Sequence, residues 1–209
     1  MTDHEYRVLS STPRFTGNVI SVRTDAVQMA DGSVADRDYV VHPGAVGVVA
    51  LDEQDRVVVV HQFRAPVGIT MDELPAGLLD VAGEPALIAA QRELYEEAAL
   101  RADDWHVLVD LHTTPGGSNE AIRIYLARGL HEVPAVERYR PEGEEVTMTV
   151  RRVPLEELVT SALAGDVTNA AAVAGSLATL YARSRGWTVL RAADAPWRAR
   201  PELAASAGT

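Results

Sequence analysis

From Gly17 to His42 apolar and polar positions alternate in part, the period of a strand with one covered face. NVISVRTDAVQM (18–29) and VADRDYVVH (34–42) flank DGS (31–33), which has the composition of a hairpin turn, and Pro43-Gly44 closes the segment. Residues 1–43 are therefore expected to form a small antiparallel β unit that must pack on something, since a lone hairpin is marginal in water. AVGVVALD (45–52) and RVVVVHQFRA (56–65), joined by EQD (53–55), read as a second hairpin, and MDELPAG (71–77) leads into a loop. Further strands are expected at 105–116, 121–130 and 146–154. Two helices are expected at 155–165 and 168–186, the first closing at Gly165. Residues 187–209 are rich in Ala, Pro and Arg and read as a tail, poorly ordered at least beyond Pro196.

Between the second hairpin and the later strands lies GEPALIAAQRELYEEAAL (83–100). Gly83 supplies a turn and Pro85 suits a first helical position. At about 100° per residue Leu87, Ala90, Leu94 and Ala98 share one face within roughly 80°. Beside that stripe Glu93, Glu96 and Glu97 crowd the last turn, where the helix dipole is already negative. Each like-charge neighbour costs a few tenths of a kcal/mol, and Arg92, four residues before Glu96, can offset one carboxylate. A solvated acidic face is one outcome of such a run. A divalent cation is the other, because hard oxygen ligands suit Mg²⁺ or Mn²⁺ and leave waters for a phosphate substrate.

Charge sharpens the second possibility. The chain has 209 residues, a net charge of −11 and no cysteine. The acidic balance argues against a nucleic-acid partner, which needs a basic footprint, and it would repel a phosphate substrate unless cations and local arginines reverse the field. Disulfides and thiolate metal sites are excluded. The start, MTDHEYRVLS, lacks a signal peptide's apolar core, and no run approaches 18 apolar residues, so no membrane association and a cytoplasmic location are expected. His42, His61 and His112 show no zinc spacing and read as structural.

The stretch from Gly77 to Leu100 resembles the Nudix box: Gly, five residues, Glu, seven residues, Arg-Glu, an aliphatic, any residue, Glu-Glu, any residue, Gly, an aliphatic. Gly77, Glu84, Arg92, Glu93, Leu94, Glu96, Glu97 and Leu100 fill its slots. Six residues separate Gly77 from Glu84 instead of five, and Ala99 stands in the second glycine slot. The extra residue lengthens the loop and leaves the register from Glu84 to Glu97 intact. The alanine bears on the helix exit. On these residues the chain is identified as a member of the Nudix hydrolase family. The resemblance implies an α/β/α sandwich with a mixed sheet (44–186), preceded here by the small β unit.

Three more stretches resemble the ADP-ribose pyrophosphatase subfamily, extending the likeness from about residue 17 to 183. They are HQFRAPVGITMDELPAG (61–77), Pro115 sixteen positions beyond Ala99, and the N-terminal β unit, which in those enzymes exchanges across a homodimer. Gly117 stands where Phe is more usual. The resemblance implies Mg²⁺ or Mn²⁺ held by Glu93, Glu96, Glu97 and the carbonyl of Ala76, with Arg92 orienting the glutamates. It implies phosphate binding by Arg64, a ligand-side acceptor at Glu73, a marker at Pro115, and a contact from Arg37 across a dimer. The general base is expected in the acidic run PEGEEVT (141–147), from Glu142, Glu144 or Glu145 with Glu142 placed first, and Glu120 stands as an alternative. The implied activity is hydrolysis of the pyrophosphate of ADP-ribose or a related nucleoside diphosphate sugar to AMP and ribose 5-phosphate. Other readings are a pyrophosphatase for another sugar such as GDP-mannose, a nucleoside-triphosphate sanitising enzyme, and a silent ADP-ribose-binding sensor. The sensor usually lacks box glutamates that are present here.

Overall fold

The computed structural model describes residues 6–140 and 143–200, which fall into two units. The first runs to Gly44 and includes His112–Ala121. Its strands β1 (Arg7–Thr16), β2 (Ser21–Gln28) and β3 (Val34–Val41) form an antiparallel meander in that order. The alternation reading found β2, β3 and their turn, where Gly32 takes φ 84. It did not find β1. RVLSSTPRFT carries no clean alternation, and its ladder slips between Val8 and Ser10 and between Pro13 and Phe15, the irregularity that an edge strand with a proline tolerates. The 112–121 segment is bonded to β3, with Val40 N–H donating to the Gly117 carbonyl at 2.9 Å and His42 N–H to Asn119 Oδ1 at 2.8 Å.

The second unit begins at Ala45. Its elements are β4 (Ala45–Ala50), β5 (Arg56–Arg64), β6 (Ile69–Glu73), β7 (Ala76–Leu78), α1 (Ala86–Ala98), β8 (Leu100–His112), β9 (Ala121–Glu132), β10 (Thr149–Pro154), α2 (Leu155–Ala164), α3 (Ala170–Ser184) and β11 (Arg191–Ala192). One sheet has the order β11-β8-β9-β4-β7 and the other β10-β5-β6. The first is mixed, since β4 runs parallel to β9 and antiparallel to β7.

The expected second hairpin is not a ladder. β4 and β5 lie in different sheets and share only the bridge Leu51–Val57. The reason is visible in AVGVVA, which is buried at all six positions. A continuously apolar strand belongs in the centre of a sheet covered on both faces, where a parallel neighbour is at home. Along β4 the side chains part to the two faces. Val46, Val48 and Ala50 pack with Ala89, Ala90 and Leu94 of α1 and with Tyr125. Ala45 and Val49 join Leu158 of α2 and Ala171 and Ala172 of α3. A mixed sheet between helices results, the α/β/α arrangement expected.

Both C-terminal helices start and stop on their own residues. Gly165 ends α2 at φ 86, and Asn169 Oδ1 caps α3 by accepting Ala172 N–H at 3.0 Å. Beyond α3, β11 pairs with β8. Arg123, 3% exposed, donates to Asp110 at 2.8 and 3.1 Å and to the carbonyls of Ala195 (2.7 Å) and Pro196 (3.2 Å), and its guanidinium stacks on buried Trp197 at 4.9 Å. This part of the segment expected as tail is therefore fastened to the sheet. Among the described residues no helix is long and apolar enough to cross a membrane.

Candidate active site

Helix α1 starts one residue later than its sequence suggests, with Pro85 as N-cap, and ends on Ala99 in the left-handed conformation (φ 51, ψ 41). The buried face comprises Ala89, Ala90, Glu93 and Leu94. Glu93 thus belongs to the covered stripe, not beside it, and is only 8% exposed.

Two of the crowded glutamates converge on one short strand, β7. Glu97 Oε2 accepts the N–H of Ala76 at 2.9 Å. Beside it, a Cβ built on Gly77 would stand 1.9 Å from Glu93 Oε1, so only a glycine leaves this carboxylate its place. These residues belong to strand β7, whose Ala76 and Gly77 pair with Gly47 and Val46 of β4. Sequence slots predicted the residues. The close approach that makes Gly77 necessary is a finding of the fold.

Arg92 does more than offset one carboxylate. Its Nε and Nη2 donate to the two oxygens of Glu84 at 3.0 Å each, and its Nη1 donates to Glu93 at 2.6 Å and Glu96 at 3.1 Å. The partnership with Glu84, eight residues upstream, follows from the fork of a guanidinium meeting a carboxylate edge to edge. Hydrogen bonding to Glu84, with the charges of Glu93 and Glu84, raises the Arg92 pKa further against the opposing effect of burial. Burial pushes the Glu93 carboxyl above the usual carboxylate range. Arg92 pulls it down, while Glu96 and Glu84 add repulsion. Glu84, Glu93, Glu96 and Glu97 outnumber Arg92 four to one, and this excess of hard oxygen donors suits a divalent cation. Among the described residues no three His, Asp or Glu side chains already form a coordination cluster; Glu93 and Glu96 are turned to Arg92 and Glu97 to Ala76.

Strands β5 and β6 supply a second group. Arg64 grips Glu73 with Nε and Nη2 at 2.8 and 2.7 Å, and Gln62 Nε2 approaches the same carboxylate at 3.4 Å. Glu73 is 2% exposed, and this pairing supplies the partner that a buried carboxylate needs. Arg64 and Glu73, expected as separate ligand contacts, are thus each other's partners, and Gln62 joins them without having been expected.

Arg37 and Pro115 belong to the first unit. Arg37 lies exposed on β3, donating to the Asp36 carbonyl at 3.1 Å. Pro115 is exposed in the loop bonded to β3. Glu142 lies outside the described residues; Glu144 and Glu145 fall in a 3-10 turn, Gly143–Thr147, that lies against β5. Glu120 accepts from Thr113 Oγ1 at 2.5 Å within the first unit.

Comparison with known proteins accords with this geometry. The NUDIX domain model matches residues 41–174. The chain is 43% identical over 203 residues to the ADP-ribose pyrophosphatase of Mycobacterium tuberculosis (strain ATCC 25618 / H37Rv), covering 96% of this chain and 95% of that protein. It is 32% identical over 157 residues to the ADP-ribose pyrophosphatase of Bacillus subtilis (strain 168), covering 75% and 83%. A methanol dehydrogenase activator of Bacillus methanolicus is 35% identical over 126 residues, covering 60% and 68%. Among solved structures, an ADP compounds hydrolase superposes with a TM-score of 0.71 at 20% identity, covering 87% of this chain and 96% of that one, a likeness of fold.

Proposed function

Because the chain belongs to the NUDIX family, we propose that it is a hydrolase that cleaves the pyrophosphate of ADP-ribose, releasing AMP and ribose 5-phosphate. The observation that carries this reading is the convergence of Glu93 and Glu97 on Ala76 and Gly77 of β7. Relatives that cover most of the chain and carry that activity in their names point to the substrate.

Divalent cations are general to the family, and the donor set fits one: Glu93, Glu96, Glu97 and the Ala76 carbonyl would hold Mg²⁺ or Mn²⁺. Bound there, the ion supplies neutralisation of pyrophosphate charge and a more acidic water. The chain's own residues do the rest. Arg92 fixes the directions of Glu84, Glu93 and Glu96. Arg64, steadied by Glu73, presents a planar fork suited to a phosphate. A carboxylate of the 141–147 run, with Glu142 first, takes the proton of a water as its oxygen attacks phosphorus. The bridging P–O bond breaks and the second phosphate leaves.

The chain acts as a homodimer in the cytoplasm on this reading, with Arg37 and Pro115 as substrate contacts. Exposed apolar residues of the first unit, including Val8, Leu9 and Phe15, support a partner surface there. Incubating the full chain with ADP-ribose and Mg²⁺ and weighing the products tests the proposal: AMP and ribose 5-phosphate are expected, and intact ADP-ribose alongside rapid cleavage of GDP-mannose would replace it. Sedimentation of the full chain and of a chain beginning at Gly44 tests the dimer, which should be lost with residues 1–43.

A further inference from the structure

Gly186 at φ 59 and Trp187 at φ 66 turn the chain off the end of α3, and a bulky residue holds that left-handed conformation only where its surroundings impose it. The Arg128 guanidinium of β9 lies 4.6 Å from the Trp187 ring centroid, and Trp187 packs on the cluster that α2 and α3 cover. Arg191 and Ala192 then pair with Val107 and His106 of β8. Past them Ala195 joins the cluster beneath α1, and Trp197 is buried on Arg123. Arg123 and Arg128 differ in parity along β9, so they leave it on opposite faces. The segment therefore passes from one face of the five-stranded sheet to the other around its β8 edge, and an arginine of β9 seats a tryptophan on each side. Arg191 fastens it in between, its Nη1 donating to Asp110 at 2.8 Å.

We propose that the segment from Trp187 to Trp197 is a strap that guards the β8 edge, and that the partner it holds off is a second copy of this chain pairing β8 to β8. With the strap gone, the outer N–H and C=O groups of β8 would stand unpaired, and such an edge is a template for a further strand. The β8 sequence fits itself. In an antiparallel pair centred on Leu108, Val107 stands opposite Val109 and Trp105 opposite Leu111, while His106 stands opposite Asp110. Displacing the strap takes Arg191 from Asp110, and the incoming His106 supplies a new partner. A pair centred on Val107 would instead set Asp104 against Asp110, and like charges directly opposite disfavour that register.

Trp187→Ala combined with Trp197→Ala in the full chain tests this. Amide hydrogen exchange in the ladder between 191–192 and 106–107 should quicken about tenfold or more, the combined weight of two stacks. Sedimentation at about 1 to 100 µM should show a species heavier than the parent that grows with concentration, while the circular-dichroism spectrum stays like the parent's. Adding His106→Asp sets like charges across the proposed pair, so the heavier species should vanish while exchange stays fast. Trp197→Leu alone keeps an apolar side chain in place and removes the ring face. It should give the same changes in smaller measure, and it carries the test if the double variant does not fold. Unchanged ladder exchange overturns the strap. Fast exchange with the parent's sedimentation overturns the guarded partner. Association that survives His106→Asp means that the copies meet at another surface, and this too overturns the proposal.

Discussion

The Cβ that Gly77 lacks would stand 1.9 Å from Oε1 of Glu93. The obstructed atom is the far end of a flexible side chain, so Gly77→Ala should fold with a thermal midpoint close to that of the parent. The carboxylate must swing away, however, and with it the ligand position proposed for Glu93 would be lost. A rate at least tenfold lower at fixed Mg²⁺, partly restored by raising Mg²⁺, is expected, an estimate of about 1.4 kcal/mol in barrier height. Titration of activity against Mg²⁺ gives the answer, and an unchanged curve would remove Glu93 from the ligand set.

Glu93→Gln and Glu97→Gln should each lower kcat by about 100-fold or more, the several kcal/mol that metal-borne charge stabilisation supplies. Both variants should remain folded. The amide oxygen introduced by Glu97→Gln still accepts from Ala76 N–H, and Glu93→Gln removes a charge that burial already disfavours. EDTA should abolish turnover by the parent, and Mg²⁺ or Mn²⁺ should restore it. Activity that persists after chelation would sink the carboxylate–metal reading.

Asp110 offers a prediction in pH. Burial alone would raise its pKa, but hydrogen bonds and charge from Arg123 and Arg191 outweigh this and hold it below the usual 3.8. A carboxyl lowered on folding contributes stability that is present above 3.8 and lost as pH falls through the lower folded value. Asp110→Asn leaves buried Arg123 without its anion and should lose about 3 kcal/mol at pH 7. Below the folded pKa both chains carry a neutral side chain at this position, so the gap should close. Urea midpoints followed from pH 7 down through the acid range would show the gap narrowing; a gap that stays equal at every pH would mean the ion pairs do not provide the stability.

Ala99 holds φ 51, a conformation costing an L-residue about 1–2 kcal/mol, of which the freer unfolded chain of glycine recovers only part. Ala99→Gly should therefore raise the thermal midpoint by about 2 °C. The carbonyl that receives Val133 N–H is kept, so activity should not change. A lower midpoint would show that the strain is relieved elsewhere.

What the sequence made legible follows local chemistry. The helix of glutamates, both C-terminal helices and the β2–β3 turn were readable because each is signalled by its own residues: Gly32, Pro85, Gly165, and the i+3 and i+4 spacings. Pairings set by the rest of the chain were not. AVGVVALD and RVVVVHQFRA look like a hairpin because they are apolar and adjacent, yet burial on both faces sends β4 into the interior of one sheet, between β9 and β7, and β5 into another. Within the site, the i+4 spacing anticipated the Arg92–Glu96 pair, but the bonding of Arg92 to Glu84, and of Arg64 to Glu73, depends on how the loop and β6 return. The Trp197 segment gave no periodic signal at all; its order comes from Arg123, 74 positions earlier in the chain.

The parallel ladder between β4 and β9 pairs Ala45 with Ile122, 77 residues apart, and continues to Ala50 with Ala127. Every contact of that ladder closes a loop containing β5, β6, β7, α1 and β8, so this part of the larger sheet cannot be completed early by local zippering. Topologies dominated by such distant pairings fold slowly and through intermediates in chains of this length. During synthesis the AVGVVA segment leaves the ribosome long before its partner exists. Until Ile122–Ala127 arrives, an apolar run without a charged residue has neither its central neighbour nor its covered faces. The strand buried on both faces of the finished enzyme is thus also a hazard for aggregation while the chain is being made.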